Sequence, residues 1–203
     1  MRHGAVATRA ARPASCTRTA ARILALLVVA AGVLAWIPQA GAQSQPLSEY
    51  QVKAAFLYNF AKFVEWPADA FKDPRAPVML GIVGEDPFGE TLDAMVSGKT
   101  VNGRGVVVRR FQHGEDLRGC HILFISSSER KRRARILESV KGSAVLTVGE
   151  MDQFVQSGGA IGLLLEENKV RFEINVGAAA RARLKISAKL LALAQSVVNR
   201  RGG

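Results

Sequence analysis

The spacing of apolar residues predicts helices alternating with strands. Val52, Phe56, Phe60 and Phe63 recur at helical intervals. Ser48 and Gln51 are spaced as a capping box, with Leu47 and Val52 as its hydrophobic staple, and Trp66-Pro67 closes the helix. The apolar run 78–83 ends at Gly84 and predicts a buried strand. Residues 88–96 predict a helix stopped by Gly98, and 106–111 and 121–125 predict strands. Ser126, Ser127 and Ser128 are placed to cap a helix over 129–140. Residues 144–148 predict a strand, 151–156 a short helix, and Ser157-Gly158-Gly159 a break. Strands over 160–165 and 169–174 flank Glu167-Asn168 and predict an antiparallel hairpin. In its second strand Val170, Phe172 and Ile174 alternate with Arg171 and Glu173, so one face meets water. A last helix begins near Ser187, with Ile186 and Leu191 as staple and Leu190, Leu193, Ala194 and Val197 as buried stripe. The order predicts an α/β fold: a single domain with a mostly parallel sheet flanked by helices and a C-terminal antiparallel hairpin.

Charge divides the chain at residue 42. Residues 1–22 hold five arginines and no acid, 23–37 are uncharged, Pro38 interrupts, and Ala40-Gly41-Ala42 follows. This is the pattern of a secretory signal peptide, cleaved between Ala42 and Gln43. The apolar run is shorter than the roughly 20 residues of a spanning helix. The cleavage site has no Cys for a lipid anchor. Residues 43–203 are then the single exported domain. The whole chain carries 28 Lys and Arg against 17 Asp and Glu, a net +11. Loss of the five leader arginines leaves +6, and five of those six charges equal the basic cluster 130–135. The excess is therefore a local patch. Its four consecutive basic residues cover every side of a helix, and no aromatic residue interleaves with them. A stacking platform for nucleic acid is not expected, whereas anionic headgroups or an acidic protein partner fit better. The exported domain keeps one thiol, Cys120, at the head of an apolar stretch, where burial is expected.

Catalytic patterns fail on their chemistry. The segment from Gly84 to Thr91 has the spacing of a phosphate-binding loop between a strand and a helix. Such a loop needs Lys after its second Gly. Glu90 stands there, and Glu85 and Asp86 add further charge that repels a triphosphate. Cys120 and His121 are adjacent, so a strand sends them to opposite faces, and no zinc-ligand spacing is present. No metal or other cofactor is expected. Residues 126–128 follow a strand, yet no nucleophile elbow surrounds them, so a helix cap is the simpler role.

Five strings together are distinctive. They are the segment from Val52 to Pro67, VKAAFLYNFAKFVEWP; Gly84-x-Asp86-Pro87-Phe88-Gly89; Cys120-His121-Ile122-Leu123-Phe124-Ile125; Arg171-Phe172-Glu173-Ile174-Asn175; and Leu184-x-Ile186-Ser187-x-x-Leu190-Leu191-x-Leu193-Ala194. Taken in order over residues 48–199, the chain resembles the YfiR family of periplasmic proteins. The resemblance implies a small exported α/β protein without catalytic activity, acting as a homodimer. It implies repression of an inner-membrane diguanylate cyclase, or a related signalling protein, through that enzyme's periplasmic sensor region. An outer-membrane lipoprotein would relieve the repression, and cyclic di-GMP and biofilm formation would follow. The chain departs from the family's disulfide-bearing members in its single exported Cys, so control by an internal disulfide does not carry over. For such contact, Asn59, Lys62, Glu65 and Trp66 are a candidate polar and aromatic rim, with Trp a favoured anchor. Phe88 is a second aromatic candidate, and Arg130, Arg132 and Arg133 are candidate basic contacts. The alternative reading is a periplasmic small-ligand-binding protein without catalytic activity, its crevice at the carboxyl ends of the strands near Gly84 and Ser126.

Overall fold

The computed structural model describes residues 48–199. The expected leader, 1–42, with its cleavage site at Ala42 and Gln43, lies outside these residues, as does the staple residue Leu47. The first helix, α1 (Glu49–Phe63), opens on the expected capping box. Ser48 Oγ accepts from Gln51 N–H at 3.3 Å, and Gln51 Oε1 accepts from Ser48 N–H at 2.8 Å. Its buried stripe is Lys53, Ala54, Leu57, Phe60 and Ala61, so Phe56 and Phe63 flank the core rather than fill it and Val52 is half-buried. The chain then enters β1 (Val64–Glu65), a 3₁₀ turn (Ala68–Ala70) and β2 (Val78–Val83). Next come α2 (Glu90–Val96), β3 (Thr100–Val101), β4 (Arg104–Phe111) and β5 (Ile122–Ile125). A second 3₁₀ turn (Ser127–Glu129), α3 (Arg133–Ser139), β6 (Leu146–Gly149), β7 (Ile161–Glu166) and β8 (Lys169–Asn175) follow. The chain closes with α4 (Val176–Arg181), β9 (Lys185–Ile186), α5 (Ala188–Leu193) and β10 (Ser196–Val198).

Eight strands form one sheet in the order β10-β8-β7-β6-β5-β2-β4-β3. Only the β7–β8 and β3–β4 pairs are antiparallel, and β1 pairs with β9 in a separate antiparallel ribbon. Both hairpins turn on two residues with positive φ, Asn102-Gly103 and Glu167-Asn168, as two-residue turns that match strand twist require. Strand alternation divides the core. Leu80, Ile82, Ile122 and Phe124 face α1, α2 and α5, whereas Val83, Leu123 and Ile125 pack with Phe111 and Ile136 of α3 on the other face. Cys120 belongs to that second cluster. A Cβ at Gly81 would sit 2.5 Å from its sulfur, so glycine there makes room for the thiol. Among the described residues no helix is long and apolar enough to cross a membrane.

Several local expectations give way to tertiary contacts. The helix expected over 88–96 starts at Glu90, because Phe88 is drawn into the core and Gly89 has a φ of +53°. The helix expected over 129–140 is replaced by the 3₁₀ turn and the shorter α3. Glu129 is buried and Ser128 is pulled across to the loop after β2, which takes residues 127–132 off a helical path. Residues 151–156 form hydrogen-bonded turns, not a helix, with Gln153 at a φ of +56°. The strand expected over 106–111 begins at Arg104, where it meets β3, and the one expected over 144–148 runs from Leu146 to Gly149. The stripe expected on the last helix shrinks to Leu190. Leu193 is 68% exposed, and Val197 lies 48% exposed in β10, because Gln195 N–H bonds to the Phe172 carbonyl and draws the chain into the sheet.

Candidate functional site

The two ends of the parallel strands carry the candidate residues. At the amino-terminal ends, the segment between β1 and β2 folds over His121. Trp66 Nε1 donates to the His121 carbonyl at 3.1 Å. Phe71 stacks on the imidazole at 4.3 Å between centroids, and Arg104 covers Phe71 at 3.8 Å while donating to the carbonyls of Ala76 and Asp73. Met79 N–H bonds to His121 Nδ1 at 3.0 Å, so the neutral ring carries its proton on Nε2. That nitrogen is buried and has no hydrogen-bond partner among the described residues. Burial pushes the His121 pKa down. Glu65 and Trp66 line a pocket of about 230 Å³ together with Phe71 and Arg104. Glu65 is exposed and Trp66 half-buried. Lys62 is exposed, with its ammonium 5.6 Å from the Tyr58 ring, and Asn59 is half-buried one helical turn earlier. Those two residues do not line the pocket.

At the carboxyl-terminal ends, four loops meet. Gly84 has a φ of +92°, and a Cβ there would lie 2.5 Å from Ser128 Oγ. The serine is thus seated against the glycine, where it accepts from Glu85 N–H at 2.9 Å. Within the loop, Asp86 accepts from Phe88 N–H and from Arg110 Nε. Arg110 also binds Asp93 and the Gly89 carbonyl, and it holds the Asp93 pKa below its usual value. The phosphate-loop spacing therefore serves an internal brace of acids and one arginine. Phe88 is 3% exposed and packs on Phe124 and Tyr50, so it belongs to the core and not to a contact surface. Arg130 pairs with Asp152 at 3.1 Å, and Arg133 donates to the carbonyl of the same residue at 3.2 Å. Arg132 turns away from them toward His113 and Glu129. The structure thus brings together Glu65 with Trp66, and Arg130 with Arg133, at opposite ends of the sheet.

The serine and histidine candidates for catalysis do not converge among the described residues. Ser126, Ser127 and Ser128 follow β5, whereas His121 precedes it, and four residues of strand span about 13 Å. Cys120 is 3% exposed, and burial pushes its thiol up to about 12, far from a reactive thiolate. Among the described residues no group of three potential ligands is placed to hold a metal ion.

One polar cluster was hidden from sequence reasoning. Lys53, 4% exposed, bonds to Glu150 at 2.7 Å and also pairs with Glu49, while its ammonium lies 4.7 Å from the centre of the Tyr50 ring. Burial acts to lower the Lys53 pKa, but its hydrogen bonds to Glu150 and Glu49 outweigh it and hold the value above the ordinary one. Burial, followed by the charge of Glu150, raises the Tyr50 pKa. The available signal was Lys53 itself, on the same helical stripe as Leu57 and Phe60. Its partner lies 97 residues away, beyond any local pattern.

A mostly parallel sheet edged by charge-braced loops and flanked by helices defines a small α/β domain. The chain belongs to the YfiR/HmsC-like family, whose model matches residues 50–195. No curated protein matches it. Among solved structures, it is similar to a conserved domain protein from Vibrio cholerae O1 biovar El Tor str. N16961. The TM-score is 0.51 at 13% identity, covering 74% of this chain and 60% of that one. It is also similar to an ABC domain in complex with L-Trp from Streptococcus pneumonia, with a TM-score of 0.48 at 9% identity, over 73% and 60% of the two chains. The match thus spans about 60% of the length of each solved structure. At 13% identity the likeness to the first concerns the fold alone.

Proposed function

We propose that this protein is a periplasmic regulatory binding protein that represses an inner-membrane diguanylate cyclase, or a related signalling protein, by direct contact. The observation that carries this reading is the family match over residues 50–195, which spans nearly the whole described fold. Supporting it, the sequence motifs that hint at chemistry are engaged in internal bracing. The protein exerts its effect through a surface. Two patches offer one: the Glu65 and Trp66 rim and the basic patch of Arg130 and Arg133. The reading includes export through residues 1–42, a homodimeric state and relief by an outer-membrane lipoprotein. The test is capture of the C-terminally tagged protein, expressed from its full-length gene, from detergent-solubilised inner membrane. Retention of a membrane sensor protein and a rise in cyclic di-GMP on deletion are expected. No retained sensor protein, together with unchanged cyclic di-GMP, contradicts the reading.

A further inference from the structure

A pocket of about 400 Å³ lies between the loop leaving β4 and helix α3. Its floor is apolar: Val83, Leu117 and Ile136 are each at most 8% exposed. Its rim is charged, and the two signs are treated differently. The one carboxylate, Glu115, is already engaged. Gln112 N–H donates to it at 3.1 Å and Arg109 at 2.6 Å, and these two bonds hold its pKa below the usual value. The cations of the rim are less fully engaged. Arg132 Nη1 lies 2.9 Å from His113 Nδ1, so it meets a ring nitrogen where a carboxylate would suit it better. Its acid partner, Glu129, stands at 3.5 Å, at the outer limit of a hydrogen bond. Arg135 is exposed and has no partner among the described residues.

One guanidinium without a partner among the described residues and one only partly engaged, over an apolar floor, match a particular ligand chemistry. Guanidinium groups present paired donors that fit the oxygens of carboxylate and phosphate. Pockets of this size take small molecules, with apolar walls supplying area and a few polar groups fixing orientation. We propose that this pocket binds a small organic anion, with its carboxylate or phosphate head on Arg132 and Arg135 and its hydrocarbon body on Val83, Leu117 and Ile136. The proposal needs no partner protein and stands apart from the docking reading.

The test follows the His113 imidazole resonances of the purified protein by NMR during titration. The probes are benzoate, phenyl phosphate, inorganic phosphate and benzyl alcohol. Benzoate or phenyl phosphate shifts these resonances saturably, and the tighter of the two identifies the preferred head group. Inorganic phosphate binds about tenfold more weakly than phenyl phosphate, because it leaves the apolar floor uncovered. Benzyl alcohol, with a body but no charge, leaves the resonances in place. R135Q weakens the preferred anion about tenfold, and R135K retains more of the affinity than R135Q. Arg135 is exposed and has no hydrogen-bond or ion-pair partner among the described residues, so R135Q melts as the parent does and its readout stays interpretable. The proposal is overturned if neither aromatic anion gives a saturable shift, or if benzyl alcohol matches the anions. It is equally overturned if inorganic phosphate equals phenyl phosphate, or if the R132Q/R135Q double variant binds as tightly as the parent.

Discussion

At the amino-terminal ends of β2 and β5, Phe71 stacks on His121, Trp66 meets it edge-on and bonds to its carbonyl, and Arg104 straps Phe71 down. At the carboxyl-terminal ends of the same strands, loops meet through acids and bases, and arginines face water. The first end resists change because its contacts are apolar or desolvated. The second has little stability invested in its exposed charges, since surface ion pairs contribute about 0–1 kcal/mol. A surface that can be altered without unfolding the protein is where partner contact can be tuned. The buried Lys53–Glu150 pair lies between these extremes. It sits at the carboxyl-terminal end but is desolvated like the core, with both side chains 5% exposed.

That pair gives the largest expected effect. Lys53→Met leaves Glu150 buried without its cation, and a loss of about 3–5 kcal/mol is expected. In a thermal melt this corresponds to a drop of about 10 °C. Glu49→Gln serves as the contrast: Glu49 is one-third exposed, so its loss should cost less than about 1 kcal/mol. Equal effects would show that the buried pair carries no special weight. The raised Lys53 pKa means that its stabilisation is fully present below the ordinary lysine range and is lost only as pH rises through the folded value.

The aromatic end should respond next. Phe71→Ala removes the ring stacked on His121, and a loss of about 2 kcal/mol is expected. The same substitution admits water to His121, whose pKa should rise toward the ordinary value in an NMR titration. In the parent protein the lowered pKa means that the unfolded chain binds the proton more readily. Stability should therefore fall as pH drops below about 6.5, the ordinary histidine value, and down through the folded one. A flat melting temperature across that window would contradict the described burial. Smaller still is Trp66→Phe, which removes the bond to the His121 carbonyl for about 1 kcal/mol. Smallest should be Arg130→Gln at the charged end, within about 0.5 kcal/mol of the parent. Cys120 offers a check of a different kind. Iodoacetamide should leave it unmodified in the native protein and label it after unfolding, because the thiol is buried and pushed up to about 12.

Local signals were legible where local physics decides. Ser48 with Gln51, Glu167-Asn168 and Ser187 each satisfy backbone groups within three or four residues, and each does what its type implies. The order of strands and helices, and with it the α/β class, follows from their sum. Elements settled by distant contacts were not legible. Phe88 leaves its expected helix because Phe124 and Tyr50 offer it a core, and Val197 becomes a strand residue because β8 offers a free edge. The candidate site divides the same way. Arg130 and Arg133 were visible as a run of charge, but their convergence on Asp152 depends on the turn after β6. The pairing of Trp66 with His121 across the start of the sheet had no trace in spacing.

The most direct test of regulation by surface contact is the R130E/R133E variant. It is compared with the parent for retention of a membrane sensor protein and for cellular cyclic di-GMP. The account predicts a variant that melts as the parent does, retains no sensor protein and fails to lower cyclic di-GMP in a deletion strain. A variant that still captures the sensor protein and still lowers cyclic di-GMP as the parent does would contradict it.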